Sequence, residues 1–182
     1  EGTTNLLTAN QASVETDLTG LAVGTSSATL ARDTAVAWHG SASAKATASA
    51  NGSISIRTDR VTVTAGSTYT ASVYGKASVQ RSGRLAIWWF DSSNAPITST
   101  GVNVTITTTW QRFTVTGMAP SNAASCWVEL YYDNAVANDI LWWDGAQLEQ
   151  KSYASSWQLP GTARSAEVLT APTNGVFRKG NW

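Results

Sequence analysis

Few side chains in this sequence could make or break a bond. There is one histidine, His39, and one cysteine, Cys126. A Ser-His-Asp triad would have to use His39, and neither a multi-histidine metal centre nor a cysteine-based zinc site can be built. His39 follows Trp38 at the entry to a strand with no companion for metal or triad work, and reads as a surface or turn histidine. Cys126 alternates in step with Val128 and Leu130 and reads as an inert, small apolar residue. Glu129 and Asp133 face the same way along one strand, but four residues at ~3.3 Å rise separate their Cα atoms by about 13 Å. Glycosidase carboxyl pairs sit about 5–5.5 or 6.5–9.5 Å apart, so this pair fits neither, while a cross-strand pair of Asp91 with either residue stays open. What the chain has in quantity is another chemistry: nine Trp against three Phe and one Met. An indole ring stacks on the flat apolar face of a pyranose while charged and amide groups bond its hydroxyls.

Rings serve that purpose only if an element aims them outward together. No 3.6-residue periodicity persists, whereas two-residue alternation recurs over eight segments: Ser41–Ser49, Ser53–Val63, Tyr69–Ala77, Arg84–Asp91, Ile97–Thr105, Gln111–Ala119, Cys126–Asp133 and Asp139–Glu149. Asn51-Gly52 gives the strongest hairpin signal, and Ala65-Gly66-Ser67, Arg81-Ser82-Gly83, Ser92 to Pro96 and Ala119 to Asn122 mark further breaks. The expectation is an all-β protein, a two-sheet antiparallel β-sandwich with jelly-roll topology. Aliphatic neighbours assign the faces. Leu85, Ile87 and Trp89 point inward, leaving Trp88 and Phe90 outside; Cys126, Val128, Leu130 and Tyr132 point inward, leaving Trp127, Glu129, Tyr131 and Asp133 outside. Ile54 and Ile56 point in and Arg57 out. In a jelly roll of the usual winding the second, fourth, fifth and seventh of these strands share a sheet. Arg57, Trp88, Phe90, Trp127, Glu129 and Tyr131 then lie on one face, the mark of a binding site. Arg57, Glu129 and Gln147 would bond sugar hydroxyls while Trp88, Trp127 and Tyr131 stack, with affinities of about 1 mM to 1 μM. The competing reading has the same rings covered by another part of the chain or by a second subunit.

Composition sets the outer bounds. At 182 residues the chain suits one domain. Charged residues make up 13% against roughly 25% in an average globular protein, and the net charge of +0 lacks the basic surplus that binding of nucleic acid requires. No apolar run approaches the ~20 residues that span a bilayer, so membrane insertion is not expected. Many hydroxyls, few charges and much Trp fit an exported β-protein that meets neutral polar ligands. Residues 1–155 are expected to form the domain, with 1–40 as a wrapping arm, and 156–182 an extended tail or a linker to a following module.

Five segments in order carry a resemblance: Asn5-Leu6-Leu7 with Glu15; His39 to Lys45; Gly66 to Tyr74; Thr109 to Thr116; and Trp143-Asp144-Gly145-Ala146-Gln147-Leu148-Glu149. Together they resemble jelly-roll carbohydrate-binding modules of families four, nine and twenty-two, over roughly Asn5 to Trp157. The ending from Asp144 through Tyr153-Ala-Ser-Ser-Trp157 to Glu167 looks most like modules embedded in bacteriophage tail and other virion proteins, and is similar to modules appended to secreted polysaccharide-degrading enzymes. The resemblance implies a non-catalytic domain, excised from a larger exported or virion protein, that attaches its parent to a polysaccharide or cell-surface glycan. It also implies a structural Ca²⁺ on the opposite sheet, at positions matching Glu15, the backbone carbonyl near Lys45, and Asp144. An extracellular or virion location follows. The alternative it leaves is a decoration domain of a phage particle, binding other virion proteins or a homo-oligomer rather than sugar.

Overall fold

The computed structural model describes residues 4–161. A single α-helical turn, α1 (Ala9–Ser13), precedes eleven strands: β1 (Leu21–Val23), β2 (Ala28–Asp33), β3 (Ser43–Ala48), β4 (Gly52–Thr58), β5 (Val61–Thr62), β6 (Thr68–Ala77), β7 (Arg81–Phe90), β8 (Pro96–Ile106), β9 (Gln111–Met118), β10 (Ser125–Ala135) and β11 (Ile140–Glu149). They form two antiparallel sheets. One runs β1-β4-β10-β7-β8, with β5 also paired to β10; the other runs β2-β3-β11-β6-β9. The two-sheet sandwich expected from alternation is present, and β4, β7, β8 and β10 share a sheet as the winding required.

Period-two burial builds the core between the sheets. Ile54, Ile56, Leu85, Ile87, Trp89, Val128, Leu130 and Tyr132 of the first sheet meet Ala44, Ala46, Tyr69, Ala71, Val73, Leu141, Trp143 and Leu148 of the second, all buried. Cys126 lies in that core, and burial pushes its thiol up to about 12. It is inert, as its strand register implied. The helical turn closes one end: Thr8 and Gln11 form a reciprocal capping box, Ala12 and Val14 enter the core, and the Trp143 indole N–H donates to the Gln11 carbonyl at 3.1 Å.

Four local expectations differ from the structure. The first 40 residues are more than a wrapping arm, because β1 and β2 add an edge strand to each sheet. The segment Ser53–Val63 is broken at Asp59-Arg60, so that β4 and β5 pair with different stretches of β10. Asn51-Gly52 reverses the chain without making a hairpin, since β3 and β4 belong to opposite sheets; turn chemistry sets the local bend, not the sheet that the next strand joins. Arg81-Ser82-Gly83 belongs to β7 rather than to a turn. Gly83 is there for another reason, as a Cβ on it would stand 2.2 Å from the Tyr131 carbonyl oxygen.

The outer face of β11 is covered as well. Ser155, the last residue of the expected domain, and Gln158, in the expected tail, pack on it: Gln147 donates to Ser155 Oγ at 2.9 Å and accepts from the Gln158 amide at 3.0 Å. The rest of that tail, beyond 161, lies outside the described residues. Among the described residues no helix is long and apolar enough to cross a membrane.

Candidate functional site

The outer face of the first sheet is open, and strand register assembles a site there. Trp127 on β10 stands directly opposite Trp88 on β7, Glu129 opposite Arg57 on β4, and Tyr131 between Ser55 and Arg84. Three loops complete the walls. Gly24 follows β1, Arg60 comes from the break before β5, Asn94 comes from the β7–β8 turn, and Pro96 opens β8. That turn is held by the Asp91 carboxylate, which accepts from the Ser93 and Ala95 amides at 2.9 Å each. Together these groups line a cleft of about 470 Å³, within the range of sites that hold small ligands.

A polar chain runs along the floor. Glu129 is only 3% exposed. One of its oxygens accepts from Ser55 Oγ at 2.7 Å; the other accepts from Trp127 Nε1 at 3.1 Å and from the Tyr131 hydroxyl at 2.7 Å. The Tyr131 oxygen in turn accepts from Trp88 Nε1 at 2.9 Å. Burial, reinforced by the Glu129 carboxylate, holds the Tyr131 phenol well above its usual range. Glu129 therefore orients three rings, two directly and Trp88 through Tyr131. The chain passes very close above it: a Cβ on Gly24 would sit 2.1 Å from Glu129 Oε1 and 2.2 Å from Ser55 Oγ.

Two guanidinium groups lie on the aromatic rings. Arg57 sits 4.4 Å from the centroid of Trp127; Arg60 sits 4.1 Å from Phe90 and 5.6 Å from Trp127. Asn94 anchors Arg60 by accepting from Nη1 at 2.6 Å through its side chain and from Nη2 at 3.3 Å through its carbonyl. Phe90, expected to be an exposed ring, faces outward but is 2% exposed beneath Arg60 and Trp127. Trp88 and Tyr131 are half-buried and carry no such cation.

The sequence placed six residues on this face, and the structure brings Arg57, Trp88, Phe90, Trp127, Glu129 and Tyr131 into one cleft. Gln147 does not join them. It lies on β11 in the other sheet, buried and bonded to Ser155 and Gln158. Sequence reasoning missed Gly24, Arg60 and Asn94, contributed by loops, and Pro96 at the first position of β8. The one available signal was Asp59-Arg60 interrupting the alternation of its strand.

Glu15 and Asp144 reach the same loop, residues 38–41, from two sides. Glu15 accepts from the Ser41 amide at 3.0 Å and the Ser41 hydroxyl at 2.7 Å. Asp144 is buried and accepts from the Trp38, His39 and Gly145 amides at 2.9, 3.0 and 2.7 Å. The Lys45 side chain turns away to Asp33 at 3.4 Å. Ca²⁺ takes six to eight oxygens, and backbone amides already use part of the lone pairs of both carboxylates. Among the described residues no group of three His, Cys, Asp or Glu is placed to hold a metal. Two carboxylates and one backbone carbonyl supply fewer oxygens than that shell takes, so no role is derived through the ion. Addition of a chelator is expected to leave the melting temperature unchanged, and a fall in Tm would restore the ion.

No family model and no curated protein matches this sequence. Solved structures do. The enzymatically active domain of bacteriophage CBA120 tailspike protein 4 superposes with a TM-score of 0.64 at 13% identity over 79% of this chain and 21% of that one. The CBM22-1 xylan-binding domain of Paenibacillus barcinonensis Xyn10C gives 0.61 at 12% identity over 85% of this chain and 99% of its own. This is the fold of the jelly-roll carbohydrate-binding modules. A further module, TmCBM61 in complex with β-1,4-galactotriose, gives 0.56 at 14% identity over 81% of this chain and 99% of its own. The chain thus spans nearly the whole of two such modules but only about a fifth of the tailspike domain.

Proposed function

We propose that the chain is a non-catalytic glycan-binding module that attaches a larger exported or virion protein to a polysaccharide. The observation that carries this is the cleft in which Trp88, Trp127 and Tyr131 stand side by side on one sheet face, Trp127 and Tyr131 bonded to a single buried carboxylate and Trp88 to the Tyr131 hydroxyl. A pyranose placed there meets the Trp88 and Tyr131 rings for stacking, with the Arg57 and Asn94 side chains in reach of its hydroxyls. Displaced water and dispersion supply most of the energy. Among the described residues Glu129 is the one carboxylate lining the cleft, and glycoside hydrolysis uses two. Two of the solved neighbours are a xylan-binding domain and a module bound to galactotriose, which supports the same reading.

The test is retention on a polysaccharide array. The native chain should bind at least one glycan, and the Trp88→Ala, Trp127→Ala double variant should lose that binding with its fold intact. Unchanged binding in the double variant would sink the proposal. The tailspike neighbour gives a second reading some footing, that of a packing domain in a virion. A stable oligomer in solution that seals Trp88 and Trp127 would favour it.

A further inference from the structure

We infer that the glycan this cleft takes is anionic, and that Arg57 and Arg60 receive a carboxylate or another oxyanion carried by the sugar. The inference rests on the glycan-binding reading above and narrows it to one substrate class. Among the described residues three charged side chains line the cleft: Arg57, Arg60 and Glu129. Glu129 faces Arg57 across the β4–β10 ladder, where an ion pair would be the simplest arrangement. It is not made. The carboxylate turns instead to Ser55, Trp127 and Tyr131, three neutral donors. Among the described residues neither cleft guanidinium is in an ion pair; those present join Lys45 to Asp33, Arg81 to Asp139 and Lys151 to Glu149, away from the cleft.

A neutral sugar gives no reason for this. Its hydroxyls are served by amides and hydroxyls, and a single hydrogen-bonding cation would suffice. Here two guanidiniums lie over the rings of Trp127 and Phe90, an arrangement that fixes their rotamers while leaving the charge uncompensated. The ring contact is also worth more once a ligand excludes water. A planar, weakly hydrated fork matches an oxyanion in bidentate geometry, and Arg60 keeps for it the N–H groups left over from its two bonds to Asn94. Arg84, opposite Tyr131 in register, donates to Ser99 Oγ at 3.0 Å and extends the cationic line along the face. The protein as a whole has net charge +0, so this concentration of positive charge is local to the cleft rather than a property of the chain.

The experiment compares three groups of polysaccharides on the full chain: uronate-bearing, sulfated and neutral. Each uronate-bearing binder is then measured again after carboxyl reduction, which keeps the backbone and removes the charge. Binding is expected among the acidic glycans, weakened at least about tenfold by carboxyl reduction and falling as salt rises from about 0.05 to about 0.5 M. Preference for sulfated over uronate glycans would identify the oxyanion as a sulfate ester. Arg57→Gln and Arg60→Gln should each weaken acidic binding several-fold, with melting temperatures near that of the native chain. If only neutral glycans bind, or carboxyl reduction changes nothing, the inference fails and the glycan-binding reading stands. If no glycan of any group binds, both fail.

Discussion

Trp89→Ala should lower the stability of the fold by about 3–5 kcal/mol, the usual cost of emptying a large aromatic site in a core. Trp88→Ala, one residue earlier, should cost about 1 kcal/mol and remove glycan binding instead. The two indoles differ only in strand parity. Trp89 points between the sheets, fully buried, beside Tyr69 at a centroid distance of 6.0 Å, with its N–H donated to Thr100 Oγ1 at 3.2 Å. Trp88 points into the cleft and loses one hydrogen bond, to Tyr131, when removed. Chemical denaturation of both variants, with a binding measurement on each, checks the pair. Equal stability losses would mean that Trp88 belongs to a second core and that the cleft is packing rather than a site.

Glu129→Ala is expected to cost about 3–5 kcal/mol as well, because it strands hydrogen-bond donors rather than emptying a core site. Removing the carboxylate leaves the Ser55 hydroxyl, the Trp127 indole and the Tyr131 hydroxyl without their acceptor at a nearly solvent-free position, and each unsatisfied donor costs about 1–3 kcal/mol. Glu129→Gln separates geometry from charge. Its amide keeps the shape and one oxygen but turns a donor toward donors, so the loss should be smaller, about 1–3 kcal/mol. In both variants Trp88 and Trp127 lose their common orientation, and affinity should fall about tenfold or more even where the protein is folded. Denaturation gives the stability change and calorimetric titration the affinity change. A Glu129→Gln protein with native affinity would show that the rings need no anchor, and would return the carboxylate to the simpler role of bonding sugar hydroxyls.

That simpler role was the one legible in the sequence, and the difference is instructive. Alternation on β10 correctly sent Glu129 to the outer face, but face is not exposure. The residue lies beneath Gly24, from a segment more than a hundred positions earlier, and no pattern within β10 carries that information. Phe90 is a similar case: outward by parity, yet covered by Arg60, thirty residues away in sequence and adjacent only because β5 pairs with the start of β10. Gln147 lies on the last strand, which the usual winding already assigns to the opposite sheet, and there Ser155 and Gln158 use its amide.

The sequence by itself determined the architecture and the direction of nearly every strand side chain, because the pleat reverses side chains at each residue and apolar neighbours reveal which face is dry. Tertiary structure alone decided what each outward side chain does. Which loop closes over a carboxylate, which arginine lies on which ring and which carboxylates are already satisfied by backbone amides all depend on contacts between segments distant along the chain. Those contacts are set by sheet order and loop geometry, which a local period of two does not encode.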